Sequence, residues 1–198
     1  MACVQSNLED RLQKAESAIR KPSFLENKGL GNEVGYYVFS YDPKDELTVR
    51  NWVNRIQSKY SNGEHGFKVM VFDLYDIIID VLESKGYIDK IIDFERKQDF
   101  NRIVKAINNT LKITSSDCFI IDYIKQCIAE KQVIFLTGIG KCYPILRAHT
   151  ILNNLHQIID SVPIVLFYPG KYNGQELIMF DEIKDDNYYR AFRLVDEA

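Results

Sequence analysis

The chain has 198 residues, 46% of them hydrophobic, which is enough to bury one well-packed core. A net charge of −3 and a pI near 5.7 argue against a protein whose main task is to neutralise nucleic-acid phosphates. No apolar run is long enough to span a membrane, and no signal peptide is recognisable. We therefore expect one soluble, cytoplasmic α/β domain over residues 1–198 that neither enters a membrane nor binds DNA directly.

The N-terminal part predicts a helix over residues 6–21, followed by a first strand. Ser6 and Glu9 have the spacing of a capping box, and apolar residues follow at helical intervals. The apolar stretch Val34–Tyr41 predicts the strand, and the apolar spacing over residues 44–59 predicts the next helix.

The middle of the chain predicts a second strand and a helical insert. Lys68–Phe72 is short and apolar after Lys68, as in a central strand, and a helix is expected to start near Asp73. From Tyr87 to Lys131 the sequence has no strand signal. We expect this insert, residues 87–131, to contain three helices at about 87–95, 98–112 and 117–130.

The most informative stretch runs from Gln132 to Gln157 and predicts a strand, a glycine turn and a helix. The run from Val133 to Thr137 is typical of a strand that is buried on both faces. Gly138 and Gly140 then break the strand, and Pro144 occupies a position that the first turn of a helix tolerates.

Two more strands complete the predicted fold. Pro163–Tyr168 predicts a buried strand that ends at Pro169–Gly170, and Glu176–Phe180 predicts a short edge strand. The order β-α-β, helical insert, β-α-β-β predicts a three-layer α/β fold with helices on both faces of the sheet. The sheet should be mainly parallel, with about four to five strands and an antiparallel edge near Leu177–Phe180.

The glycine turn resembles a phosphate-binding loop, but its residues do not fit one. The pattern G-x-x-x-x-G-K-[ST] requires a glycine where Phe135 stands and a hydroxyl where Cys142 stands. The dinucleotide pattern G-x-G-x-x-G fails as well, because Tyr143 replaces its third glycine. We therefore expect no ordinary ATP hydrolysis here, and we interpret Cys142 as a structural thiol rather than a reactive one.

A candidate ligand site lies where the predicted parallel strands end, because their carboxyl ends share one edge of the sheet. The residues predicted to meet there are Asp73, Thr137, Gly138, Gly140, Lys141 and Arg147. Asp73 is either an acid that acts on a ligand or the cap of the following helix, and capping is the favoured interpretation.

Two other groups of side chains are candidate sites. His149, Asn153 and His156 lie at helical spacing, but structural packing is favoured over a metal site, for which the sequence supplies no further ligands. The tail carries residue types that are common in protein interfaces or that stack on single-stranded nucleic acid. Its residues are Tyr188, Tyr189, Arg190, Phe192 and Arg193. Protein contact is favoured because no basic field surrounds them.

Several short motifs, in this order and spacing, resemble the BrxB family of bacterial BREX (bacteriophage exclusion) systems over about residues 7–194. The motifs are Gly29–Val34, Asp73–Asp76, Phe135–Gly140, Tyr143–Pro144, Arg147–Thr150, Leu152–Leu155, Phe167–Gly170 and Asp186–Phe192.

The resemblance implies a cytoplasmic component of phage defence that has no assigned catalytic activity and no cofactor. It further implies an adaptor that helps to assemble other BREX proteins, above all PglZ and the AAA-type ATPase. The alternative function is a phosphate- or small-ligand-binding protein, either a sensor or an enzyme, that uses the candidate ligand site.

Overall fold

We analysed a computed structural model of the chain, which describes residues 7–26, 35–97, 100–115, 117–156, 161–185 and 191–196. The side chains of His156 and Asp185 are not described. The chain divides into two compact units. The first unit comprises Met1–Val71, Ala129–Thr137 and Asp160–Ala198, and the second comprises Phe72–Ile128 and Gly138–Ile159.

The described residues of the first unit form three α-helices and nearly all of the sheet. The helices are α1 (Leu8–Ile19), α2 (Pro22–Leu25) and α3 (Glu46–Lys59), the last preceded by a 3-10 turn at Pro43–Asp45. The strands are β1 (Tyr36–Tyr41), β2 (Lys68–Asp73), β3 (Gln132–Thr137), β4 (Ile164–Tyr172), β5 (Leu177–Met179), β6 (Ile183–Asp185) and β7 (Phe192–Arg193).

Within the described residues the sheet has seven strands and is mainly parallel, as the sequence predicts. Its main path runs β2-β3-β4-β1-β7, with β4 parallel to β3 and to β1, and β7 parallel to β1. β5 pairs with β4 in the antiparallel direction, which confirms the predicted antiparallel edge, and β6 pairs with β5. The sheet therefore exceeds the predicted four to five strands.

Aromatic rings form the core between the sheet and the helices of the first unit. The Phe135 and Phe167 ring centroids lie 4.9 Å apart, and Trp52 of α3 stacks on Phe135 at 6.2 Å. Ala15 and Ile19 of α1 belong to the same buried cluster. Burial of this apolar surface is the main favourable term that holds α1 and α3 on the strands.

Some element boundaries in the first unit differ from the prediction, and one strand was not predicted. The cap of α1 is Asn7, whose side chain accepts a hydrogen bond from the Glu9 N–H, whereas the predicted cap Ser6 lies outside the described residues. β4 continues through Pro169–Gly170 to Tyr172, because these residues pair with β1 and β5. The short strand β6 was not predicted.

Apart from Phe72 and Asp73 at the end of β2, the described residues of the second unit form helices and their connections. The helices are α4 (Leu74–Ser84), α5 (Ile88–Glu95), α6 (Phe100–Leu111), α7 (Phe119–Cys127), α8 (Ile139–Cys142) and α9 (Ala148–His156). α5, α6 and α7 are the three helices predicted for the insert, with ends that differ by at most three residues. α4 packs against α5, α6, α7 and α8.

The helix expected directly after the glycine turn begins later than predicted. The one-turn helix α8 follows Gly138 at once, and Pro144 lies in a turn rather than in the first turn of a helix. Ile145, three residues before Ala148, lies half-buried in this turn, so it continues the apolar pattern without belonging to a helix. Among the described residues, no helix is both long and apolar enough to cross a membrane.

Candidate functional site

The candidate ligand site is built around Asp73, the last residue of β2 and the N-cap of α4. Its carboxylate accepts hydrogen bonds from the backbone N–H groups of Tyr75, at 3.0 Å, and Asp76, at 3.4 Å. These are N–H groups that have no partner inside the helix, and a carboxylate at this position also favours the positive end of the helix dipole. The favoured prediction, that Asp73 caps α4, is confirmed.

Lys141 of α8 pairs with two carboxylates. Its Nζ lies 2.6 Å from Asp73 Oδ2 and 3.7 Å from Asp76 Oδ1, and it also lies over the Tyr75 ring at 5.4 Å from the centroid. The side chains of Lys141 and Asp73 are 35% and 23% exposed. We call Asp73, Tyr75, Asp76, Gly138 and Lys141 the Asp73–Lys141 cluster, in which the charge of the lysine is neutralised.

Gly138 joins this cluster through its backbone. It caps α8 with φ at +76°, and its carbonyl accepts hydrogen bonds from the Lys141 N–H at 3.0 Å and from Cys142 Sγ at 3.3 Å. Gly140 lies inside α8, so it does not form an open phosphate-binding loop. The Gly138 carbonyl therefore bonds within its own turn.

Cys142 is a buried structural thiol, as the sequence analysis favoured. Burial, together with the negative charge of Asp73, raises the pKa of this thiol to about 12. Only the thiolate is a strong nucleophile, and almost none forms near neutral pH at such a pKa.

Two residues of the predicted ligand site, Thr137 and Arg147, lie outside the Asp73–Lys141 cluster. Thr137 is the half-buried last residue of β3. Arg147 is exposed between α8 and α9, and its carbonyl accepts a hydrogen bond from the Thr150 N–H. Within the described residues, no hydrogen bond or ion pair joins the Arg147 side chain to Asp73 or Lys141.

The cluster is suited to holding two turns together rather than to chemistry on a ligand. A phosphate that approached Lys141 would meet the carboxylates of Asp73 and Asp76, and it would have to displace Asp73 from its ion pair. Across the described residues, no group of three or more His, Cys, Asp and Glu side chains could hold a metal ion. Of the candidate metal-site residues on α9, His149 is half-buried and Asn153 is exposed.

The predicted partner-binding tail is only partly described. Tyr188, Tyr189 and Arg190 lie outside the described residues. Phe192 and Arg193 form β7, where the Phe192 ring lies 6.0 Å from the Tyr37 ring and Arg193 Nε donates to the Tyr172 carbonyl at 3.2 Å. Both residues therefore contact the sheet of their own chain, so less of their side-chain surface is available to a partner.

The structure shows another feature that the sequence analysis did not single out, a set of exposed apolar side chains in the helical insert. All of α5 is described, and none of its residues is buried. Ile92 and Phe94 of α5 are 42% and 37% exposed, and Phe100 at the start of α6 is 59% exposed. We call Ile92, Phe94 and Phe100 the insert surface. Its sequence signal is a short helix in which Ile88, Ile91 and Ile92 form one apolar face and Phe94 lies beside that face.

Comparison with known proteins gives a consistent result. The family model described as "BREX protein BrxB" matches residues 70–194. A Bacillus cereus (strain H3081.97) protein named "BREX protein BrxB" is 46% identical over 190 residues, which cover 96% of this chain and 98% of that protein. An Escherichia coli O9:H4 (strain HS) protein of the same name is 32% identical over 191 residues, covering 96% and 93% of the two chains. No solved structure matches.

Proposed function

Because this chain belongs to the BrxB family of BREX phage-defence proteins, we propose that it is a non-catalytic adaptor within that system. It binds PglZ and the AAA-type ATPase, the two partners that the family resemblance implies, and holds them in one assembly. The proposal places this assembly in the cytoplasm. It assigns the chain no reaction and no cofactor.

The observation that carries this proposal is the insert surface. A helix usually buries one apolar face, yet α5 buries none of its residues fully: Ile88 and Ile91 are half-buried, and Ile92 and Phe94 are exposed. Ile92 and Phe94 lie two residues apart and therefore on different sides of α5, so the insert surface is a set of exposed apolar side chains rather than one continuous patch. Large aromatic side chains of this kind dominate the energy of many protein interfaces. Ile92, Phe94 and Phe100 are therefore suited to being covered by a partner protein.

The residues of the Asp73–Lys141 cluster and Cys142 support the same proposal in a second way. In the Asp73–Lys141 cluster the lysine pairs with the carboxylates of Asp73 and Asp76. The Asp73 carboxylate also accepts a hydrogen bond from the Tyr75 N–H at the start of α4. The thiol of Cys142 is buried and carries a raised pKa. Three of the candidate side chains, those of Asp73, Lys141 and Cys142, are thus engaged in holding the fold.

The test is co-purification from cells that carry the complete BREX operon, with the affinity tag on this chain. We expect near-stoichiometric recovery of PglZ or the ATPase by the unaltered chain at physiological salt. Replacing Phe94 and Phe100 with Asp should lower that recovery at least tenfold, because each introduces a charge that the partner must desolvate. Leu47→Asp is the matched control, since Leu47 is 69% exposed and lies on α3, outside the insert surface.

Two results would contradict the adaptor function. The first is purification of the unaltered chain without any BREX protein. The second is equal recovery by the insert-surface variant and the Leu47→Asp control, which would remove the observation on which the proposal depends.

The alternative, a phosphate-binding sensor or enzyme, makes a different prediction. Lys141 would have to exchange Asp73 for the phosphate, so inorganic phosphate or ATP should perturb the NMR signals of Gly138 and Lys141 at millimolar concentration. An Asp73→Asn variant that abolishes defence in cells, yet folds and recovers its partners normally, would also favour this alternative over the adaptor.

A further inference from the structure

Two turns of the first unit carry the same dipeptide, asparagine followed by glycine. Asn62–Gly63 lies between α3 and β2, and Asn173–Gly174 joins β4 to β5. These are the two Asn-Gly steps in the sequence. Both glycines have positive φ, +79° at Gly63 and +95° at Gly174, as is usual in such turns. Both asparagines are exposed, so access of solvent does not distinguish the two turns.

An Asn-Gly step can modify itself without an enzyme. The backbone nitrogen of the glycine loses its proton to water and attacks the side-chain carbonyl carbon of the asparagine, which forms a succinimide ring. The bond from Cγ to Nδ2 breaks, and Nδ2 leaves as ammonia. Water then opens the ring at either carbonyl and gives aspartate or isoaspartate, so the net reaction consumes a water and releases an ammonia. Glycine favours this reaction because no side chain lies beside its nitrogen, and the rate depends on whether the two groups reach the attack geometry.

In the β4–β5 turn the side chain of Asn173 is held by two short hydrogen bonds. Its Oδ1 accepts from the N–H groups of Gln175, at 2.8 Å, and Glu176, at 2.7 Å. The Tyr172 hydroxyl also donates to the Gly174 carbonyl at 3.2 Å. Attack on Cγ has to come from above the plane of the side-chain amide. This amide would therefore have to rotate and lose both of its hydrogen bonds before the ring could close.

In the loop between α3 and β2 the side chain of Asn62 is held less firmly. Among the described residues its hydrogen bonding consists of one contact, in which Oδ1 accepts from the Glu64 N–H at 3.2 Å. Within the same part of the chain the Gly63 N–H donates to no acceptor. Rotation of the Asn62 amide thus breaks one hydrogen bond at the long end of the usual range instead of two short ones.

We propose that Asn62 is a self-modification site, at which the folded chain converts to aspartate and isoaspartate while Asn173 stays intact. The new negative charge lies near Lys68, because a Cβ on Gly63 would be 3.3 Å from the Lys68 Cε. Isoaspartate also lengthens the main chain beside the turn that the Gly66 N–H closes on the Gly63 carbonyl at 2.9 Å. The site is independent of the adaptor function, since Asn62 belongs neither to the insert surface nor to the Asp73–Lys141 cluster.

The test incubates the full, unaltered chain at mildly alkaline pH and growth temperature for several days. Trypsin then places the two asparagines on separate peptides, Tyr60–Lys68 and Tyr172–Lys184, and neither peptide contains another asparagine. Mass spectrometry follows a gain of about 1 Da and locates it by fragmentation, and chromatography separates the aspartyl from the isoaspartyl form. We expect Asn62 to convert roughly tenfold faster than Asn173, because one fewer hydrogen bond is broken before the attack.

Two controls accompany this measurement. In guanidinium chloride the hydrogen bonds of both turns are lost, so the two asparagines should convert at rates that agree within about twofold. Asn62→Gln keeps a neutral amide, but its longer side chain closes a larger ring far more slowly. This variant should abolish the mass gain of the first peptide and leave the conversion of Asn173 unchanged.

The outcomes separate the fold from the local sequence. Faster conversion of Asn62 in the folded chain, together with matching rates in the unfolded chain, supports the self-modification site. Matching rates in the folded chain, or no conversion of Asn62 there, overturn it. A preference for Asn62 that persists in guanidinium chloride also overturns it, because the preference would then belong to the neighbouring residues and not to the hydrogen bonds of the two turns.

Discussion

The carboxylate of Asp73 lies directly against the Cα of Gly138. A Cβ on Gly138 would be 2.3 Å from Asp73 Oδ1, and φ at Gly138 is +76°. Glycine is therefore required here for two separate reasons, the backbone conformation and the close approach of a side chain that caps α4. This contact joins the residue that starts α4 to the residue that starts α8.

We expect Gly138→Ala to lower the free energy of unfolding by about 2–4 kcal/mol, the sum of left-handed strain and steric overlap. Gly86→Ala is the matched control, because Gly86 has φ at +66° but nothing lies within 4 Å of its added Cβ. In that variant the free energy of unfolding should fall only by the cost of the left-handed strain, about 1–2 kcal/mol. Urea denaturation of both measures the difference, and equal losses would show that the contact with Asp73 has no cost.

Asp73 should matter more as a helix cap than as an ion-pair partner. Asp73→Ala removes the acceptor for the Tyr75 N–H and should cost about 1 kcal/mol or more of stability. Asp73→Asn keeps an acceptor and loses the charge facing the partly exposed Lys141, so it should cost less than about 1 kcal/mol. Thermal and urea unfolding compare the two variants with Asp76→Asn, whose carboxylate is 3.7 Å from Lys141 and 70% exposed. A larger loss for Asp73→Asn than for Asp73→Ala would contradict this order.

The sequence predicted the long elements well because their pattern repeats over several turns. α3 and the three helices of the insert have apolar residues at helical spacing, and β3 is an uninterrupted apolar run. β6 and β7 have three and two residues, too few to show a period, and they exist because β5 and β1 supply hydrogen-bonding edges. The late start of α9 was missed because Ile145 continues the apolar spacing from outside the helix.

The candidate ligand site was predicted in part, for a related reason. The meeting of Asp73, Gly138 and Lys141 follows from the rule that parallel strands end at one edge of a sheet. That rule does not say where a side chain points after a turn, so it could not exclude Arg147. Periodicity likewise identifies an apolar helix face in α5 but not whether another element covers it, which is why the insert surface became visible only in the structure.

Cys142 should make the stability of the protein depend on pH in the alkaline range. In the folded chain burial, and then the charge of Asp73, raises the pKa of this thiol from 9.0 to about 12. The unfolded chain therefore ionises first, so the stabilising contribution is complete below pH 9 and declines as the pH rises toward 12. We expect the stability of the unaltered chain, measured by urea denaturation, to fall faster than that of Cys142→Ala, by up to about 1.4 kcal/mol per pH unit.

The exposed thiol of Cys127 provides the control for this experiment. Cys127→Ala should follow the unaltered chain across the same pH range, since its thiol meets solvent in both states. Parallel stability curves for Cys142→Ala and the unaltered chain would show that the raised pKa of Cys142 does not contribute.

Glu16 of α1 accepts hydrogen bonds from two residues at the end of α3, Lys59 Nζ at 2.7 Å and the Tyr60 hydroxyl at 2.8 Å. Burial alone would raise the pKa of Glu16, but these hydrogen bonds outweigh it and hold the pKa below its ordinary value of 4.5. The stabilisation is therefore present above pH 4.5 and is lost as the pH falls through the lower, folded-state pKa.

Glu16→Gln should cost about 1 kcal/mol of stability near neutral pH, and the deficit should shrink in acid. Tyr60→Phe should lose a similar amount, whereas Arg96→Gln, which breaks the exposed ion pair with Asp93, should change stability by less than about 0.5 kcal/mol. A deficit of Glu16→Gln that stays constant from neutral pH to about pH 3 would mean that the Glu16 charge does not help to hold α1 on α3.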